Sequence, residues 1–128
     1  MDAFVNYLAH LVSGLGMVGL FAAVYMAVTP FHELTLIRQG IVAPALSLAG
    51  AVVGFSLTVA SSILHNDSYP LFLMWCATGL TVQVATYAVL SRLFPRLPDQ
   101  LAGNNVAAGA TAGVVSLVVG IVNAACMS

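Results

Sequence analysis

The sequence predicts an all-α integral membrane protein, a four-helix bundle. Three observations carry that reading. Four apolar runs fill the chain, about Phe4–Val28, Ile41–Leu64, Pro70–Leu93 and Asn104–Met127. Each holds about 24 residues, roughly 36 Å as a helix, and a bilayer core needs roughly 20 residues. Charged residues make up 5% of the chain, against about 25% in a soluble domain. So little polar surface would not cover a water-soluble core. The runs are also too long and too uniformly apolar for membrane barrel strands, which take about 10 residues of alternating polarity. Only helices and closed barrels satisfy the backbone in lipid, so the chain is read as one helical transmembrane domain, residues 1–128.

The first helix runs from Phe4 to Val28. Thr29-Pro30 ends it, because the residue before proline avoids the α region. The same pair is placed to open the next element, with Thr29 as N-cap and Pro30 at the first helical position. Pro30–Gln39 then reads as a short interfacial helix or an early start of the second span, and Gly40 suits a helical stop. The second span is Ile41–Leu64. A polar turn, His65-Asn66-Asp67-Ser68, leads to a third span over about Leu71–Leu93. Phe94–Gly103, with Pro95, Pro98 and Asp99, reads as a loop. Asn104 or Asn105 is placed to cap the fourth span.

Orientation follows the basic residues. Arg38 lies in the first loop, and Arg92 and Arg96 flank the third. Those loops are expected in the cytoplasm and both termini on the outer, periplasmic side. Phe4, Tyr7, Tyr69, Phe72 and Trp75 form an expected outer aromatic belt. Tyr25, Phe31, Tyr87 and Phe94 form the inner one. The pattern of helix, Pro-bearing loop and helix occurs twice, over residues 4–64 and 70–127. Gly40-Ile41-Val42-Ala43 aligns with Asn104-Asn105-Val106-Ala107. Two helices per unit give two parallel repeats, with a pseudo-axis along the membrane normal.

Gly14-Leu15-Gly16-Met17-Val18-Gly19 spells GxGxxG. The dinucleotide reading needs a strand before the glycines and a helix opening after them. These lie inside an apolar run, so close helix packing is the better account. Small residues recur at helical spacing in the second and fourth spans. Gly50 and Gly54 form one GxxxG pair, Gly109 and Gly113 another, and Gly120 continues the stripe. Lipid-embedded helices associate through close backbone approach. These glycines are the expected packing seam, either within one chain or between copies.

Polar residues at membrane depth are the functional candidates. Asn6, His10 and Ser13 share one face of the first span. Gln83 lies near the middle of the third, with Cys76 and Thr86 on its side. Asn123 lies toward the outer end of the fourth, level with Ser61 and Ser62. Asn6, His10, Gln83 and Asn123 either hydrogen-bond between helices, at about 0.6–2 kcal/mol each, or line a wet path. No Asp or Glu falls within a run, so a carboxylate proton relay inside the membrane is not expected. His10, His32 and His65 give no ligand set for a metal. Cys76 and Cys126 lack CxxC spacing and read as small hydrophobes. Glu33 and Arg38 form a candidate cytoplasmic docking loop. No Ser/His/Asp set with a nucleophile turn appears, and no catalytic or cofactor-binding residue is expected.

Net charge is −1, and no basic run gives nucleic acid an electrostatic footprint. Met1-Asp2 lacks the positive start of a cleavable signal, and neither end carries a lipidation box. Thr29-Pro30, Glu33, Ile37-Arg38 and Gly40 precede an Ala- and Gly-rich helix. Gly103-Asn104, Val106-Ala107-Ala108 and Asn123-Ala124-Ala125-Cys126-Met127 mark the second half. Together these residues resemble the small bacterial inner-membrane proteins grouped as domain of unknown function 350. Gln39-Gly40-Ile41 departs from the Gly-Asn pair expected there. The resemblance implies four membrane helices and a bacterial inner membrane, and it brings no activity. The expected function is a non-enzymatic structural or partner subunit of an envelope complex. Its partners are the lipid bilayer and either its own copies or another membrane or cytoplasmic protein. The alternative is a small oligomeric channel or transporter.

Overall fold

A computed structural model describes residues 2–66 and 68–127. It is all-α. Four long helices, α1 (Asp2–Val28), α3 (Val42–His65), α4 (Tyr69–Leu93) and α6 (Val106–Cys126), are long and apolar enough to cross a membrane. Two one-turn helices interrupt the inter-span segments: α2 (Glu33–Arg38) and α5 (Leu97–Ala102). Helix α5 lies where the sequence pattern predicts a loop. Its signals were Pro98 in the first turn and Asp99 beside it, both favourable at a helix start.

Both short helices end in the same way. Gly40 N–H donates to Ile37 O at 2.9 Å and Ile41 N–H to Leu36 O at 3.0 Å. Asn104 N–H donates to Leu101 O at 3.1 Å and Asn105 N–H to Gln100 O at 2.8 Å. Each pair of bonds is a Schellman ending, which requires a left-handed residue just past the helix. Gly40 at φ 81° and Asn104 at φ 63° supply it. Glycine adopts that region freely, and asparagine is among the few other residues that tolerate it.

The helices alternate up and down, so α2 and α5 lie at one end of the bundle with Arg38, Arg92 and Arg96. The α3–α6 pair forms the spine. Gly109 sits against Ala43, Gly113 against Leu46 and Gly50, and Gly120 against Gly54. Positions rise together along both helices, so α3 and α6 run parallel. A Cβ on Gly50 would lie 2.1 Å from Gly113 O, and one on Gly120 would lie 2.4 Å from Gly54 O. The backbones touch, which gives the dispersion contact that replaces hydrophobic drive in lipid. The glycine stripe is thus consumed within one chain.

Around this spine, α4 covers one side and α1 packs peripherally. An aromatic stack links them: Phe21 on Phe55 at 4.9 Å and Tyr25 on Tyr87 at 5.3 Å between ring centroids. Tyr25, Tyr87 and Phe72 are buried in this core. They therefore do not belong to the interfacial belts expected from the sequence, whereas Phe4, Tyr7 and Phe94 are exposed. The GxGxxG glycines also diverge from expectation. Of these three, Gly14 alone meets neighbours, Val59 and Ile63, while Gly16 and Gly19 have open space where a Cβ would go. The reason is that α1 touches α3 along one narrow strip and presents the rest outward.

Candidate functional site

Polar side chains on α1, α3, α4 and α6 form a column along the spine. Tyr25 OH and Ser47 Oγ are hydrogen-bonded at 2.9 Å near the arginine end. At mid-depth, Gln83 Nε2 donates to Ala51 O at 3.1 Å and to Ser116 O at 3.2 Å. Both neighbours are carbonyls, so the amide nitrogen must face them. The side chain of Gln83 thereby ties α4 to both helices of the spine. Its Oε1 is buried and has no partner among the described residues. Gly54 leaves the room for this, since a Cβ there would lie 2.6 Å from Gln83 Nε2.

Farther from the arginines, Asn123 Nδ2 donates to Thr58 Oγ1 at 3.3 Å. Ser61 Oγ donates to Ala124 O at 2.7 Å, and Ser62 Oγ donates to Phe72 O at 3.0 Å. In lipid each such bond spares a polar group from facing hydrocarbon. The column is packed by direct contacts.

Of the four polar candidates, Gln83 and Asn123 lie in the column. Asn6 and His10 do not. His10 Nδ1 is 2.8 Å from Asn6 O, and its ring packs on Phe72 at 5.0 Å and edge-on to Tyr69 at 5.5 Å. Ser13 hydrogen-bonds the Tyr69 hydroxyl. Asn6 and His10 line an open groove of about 540 Å³ with Asn66 and Ile63, at the end opposite the arginines. His65 Nδ1 bonds its own helix at Ser61 O. Among the described residues, no group of three metal-ligating side chains occurs. Cys76 is buried, Cys126 is exposed, and both are free.

The first loop holds the least expected arrangement. The sequence predicts Glu33 in an exposed docking loop with Arg38, yet it is only 2% exposed. Its Oε1 lies 2.5 Å from Thr29 Oγ1. Thr29 therefore does not cap α2; His32 holds that position without a side-chain bond. The cause is the bend at Pro30, which turns the first residue of α2 inward onto the end of α1. Glu33 Oε2 and Tyr87 OH are both buried without partners among the described residues, and Tyr25 and Tyr87 lie within electrostatic reach of the carboxyl. Burial raises the Glu33 carboxyl above its usual range, and hydrogen bonds from Thr29 and the backbone oppose that rise. Arg38 is exposed. The exposed face of this loop therefore includes Arg38 and Leu34 and excludes Glu33. Sequence alone assigns Tyr25 and Tyr87 to an aromatic belt and Thr29 to a cap, because a tyrosine at a helix end and a threonine before proline carry those local signals; only the fold brings them together with Glu33.

The family model for Domain of Unknown Function (DUF350) matches residues 1–127. The chain is similar to the UPF0719 inner membrane protein YjfL of Escherichia coli strain K12. The two are 30% identical over 128 residues, covering all of this chain and 97% of the relative. The protein of the same name from Escherichia coli O157:H7 matches equally. No solved structure matches.

Proposed function

Since this chain belongs to the DUF350 family and is a multi-pass protein of the inner membrane, we propose that it is a non-enzymatic structural subunit of an envelope membrane complex. The observation that carries this reading is the backbone-to-backbone α3–α6 seam. Helices in such contact lose that interface if they part, which favours reading the spine as a support rather than a gate. A partner or a second copy would engage what the spine leaves free. That is the outward face of α1, with Val12, Leu15, Gly16 and Gly19, and the Arg38, Leu34 and Phe94 surface at the arginine end.

The same reading takes the chain as two parallel two-helix units. Glu33 at the start of α2 corresponds to Leu97 at the start of α5. By the same shift, Gly40 corresponds to Asn104 and Val42 to Val106. With all three arginines at one end, the positive-inside bias puts that end in the cytoplasm and both termini outside. A reporter active only in the periplasm, fused after Ser128, tests this directly; an inactive fusion reverses the orientation.

The experiment for the subunit reading is native mass spectrometry of nanodisc-extracted protein with associated chains retained. A defined complex that weakens in Arg38→Ala and Leu34→Ala supports it. A lone protomer whose cellular role survives both changes rejects it. The second reading, a small oligomeric conduit, is favoured by one feature, the polar column. It requires Gln83→Leu and Asn123→Leu to alter flux, and unchanged flux in both removes it.

A further inference from the structure

The joint between α1 and α2 poses a problem of hydrogen count. In a continuing helix, the Met26 carbonyl would accept from the N–H of residue 30. Residue 30 is proline and has no N–H. Thr29 Oγ1 fills the vacancy, lying 3.1 Å from Met26 O. The same oxygen lies 2.5 Å from Glu33 Oε1. A hydroxyl has one hydrogen to give and lone pairs to receive another. A carbonyl can only accept, so if Thr29 donates to Met26 O, the hydrogen in the Thr29–Glu33 contact must come from Glu33. An ionised carboxylate has none. It would compete with Met26 O for a single hydrogen and leave one buried acceptor unpaired.

We propose that Glu33 is a proton-binding site, occupied in the folded protein, which exchanges its proton with water at the arginine end of the bundle. The route is a cavity of about 410 Å³ lined by Glu33 with Met26, Phe31, His32, Thr35 and Arg38. Three further observations agree. Glu33 is almost fully buried, which disfavours the charged form. Its second oxygen, Oε2, has no partner among the described residues. The groups facing it from α1 and α4 are Tyr25 and Tyr87, neutral phenols that supply no countercharge, and among the described residues α3 adds the Ser47 hydroxyl, bonded to Tyr25. On α2 itself, His32 and Arg38 line the cavity, yet the side-chain partner of the carboxyl among the described residues is Thr29. The inference is independent of the subunit reading, because a proton site is compatible with a structural part or a conduit.

Infrared titration of the full chain in nanodiscs tests the site, since the sequence contains only four acidic side chains. The expected result is a protonated-carboxyl band that outlasts the ordinary carboxylate range as pH rises in the wild type and is missing from Glu33→Gln. Its midpoint should show proton affinity at least about tenfold above an exposed glutamate, one pH unit. Glutamine can donate to Thr29 as the neutral acid does, so this variant should fold, with a melting temperature that checks it. Pro30→Ala tests the cause. Restoring an N–H for Met26 O frees the Thr29 hydrogen for the carboxylate and should lower the proton affinity several-fold. A band lost in the ordinary carboxylate range, or present equally in Glu33→Gln, overturns the site. An unchanged midpoint in Pro30→Ala overturns the hydrogen count behind it.

Discussion

Asn104 Oδ1 accepts from the backbone N–H groups of Val42 and Ala43, each at 3.1 Å. An asparagine between α5 and α6 thus caps α3, a helix from the other half of the chain. Asn105, the next residue, caps its own helix by accepting from Ala108 N–H at 3.1 Å. On the other side of the spine, Gly40 has no side chain to reciprocate, and Ile41 caps nothing. One loop therefore caps both spine helices.

Asn104→Ala should cost about 1–2 kcal/mol, the usual worth of a side-chain cap, with added strain at positive φ. Asn104→Gly keeps the φ value and should lose only the cap. Thermal melts in detergent would order the wild type above the glycine variant and the glycine variant above alanine. Equal melting of the alanine and glycine variants would show that the backbone conformation carries no strain.

Gly50→Ala and Gly120→Ala force a Cβ onto backbone atoms, so the spine must open. Overpacking of this kind costs about 1–3 kcal/mol. Gly16→Ala and Gly19→Ala meet open space and should be neutral or stabilising by up to about 1 kcal/mol through helix propensity. A melting series of all four variants checks the contrast, and equal losses across it would contradict the seam.

Gln83→Leu removes two interhelical hydrogen bonds and one unpaired acceptor. The expected loss is about 1 kcal/mol, small because the removed Oε1 was itself unsatisfied. Double-mutant comparison with Gly54→Ala should be non-additive, since both act on one contact. Additive losses would separate the two sites.

Stability should also depend on pH through Glu33. Its carboxyl is raised in the folded state by burial, so the folded chain binds the proton more tightly than the unfolded one. The stabilisation is full below the ordinary carboxylate range and is lost as pH rises through the higher folded value. Melting temperature should fall across that window in the wild type and stay flatter in Glu33→Gln. Parallel curves would show that Glu33 does not control the slope.

The four spans were legible because length and apolar content alone decide them, and their ends at Val28 and Leu93 fall where proline signals put them. The glycine seam was legible too, though its partner was not. A GxxxG pair states that a backbone approaches and says nothing of whose. Asn104 or Asn105 was expected to cap the last helix, and Asn105 does, but a cap that reaches across the chain leaves no local signal. Glu33 was misread for a related reason. Its neighbours in sequence, His32 and Arg38, are exposed, and only the turn at Pro30 folds its side chain inward. Helix α5 was hidden by Pro95 before it and Pro98 within it, which read as breakers although Pro98 lies in its first turn.

The spine joins the second span to the last one. Translation produces α3 well before α6, so its glycine face has no mate while α4 and α5 are still being made. Three spans precede the partner backbone of Gly50, and the loop that caps α3 at Asn104 comes directly before that partner helix. The spine therefore closes only once α6 has been made, whereas the contacts that join α1, α3 and α4, such as Phe21 on Phe55 and Gln83 to Ala51 O, are available before it.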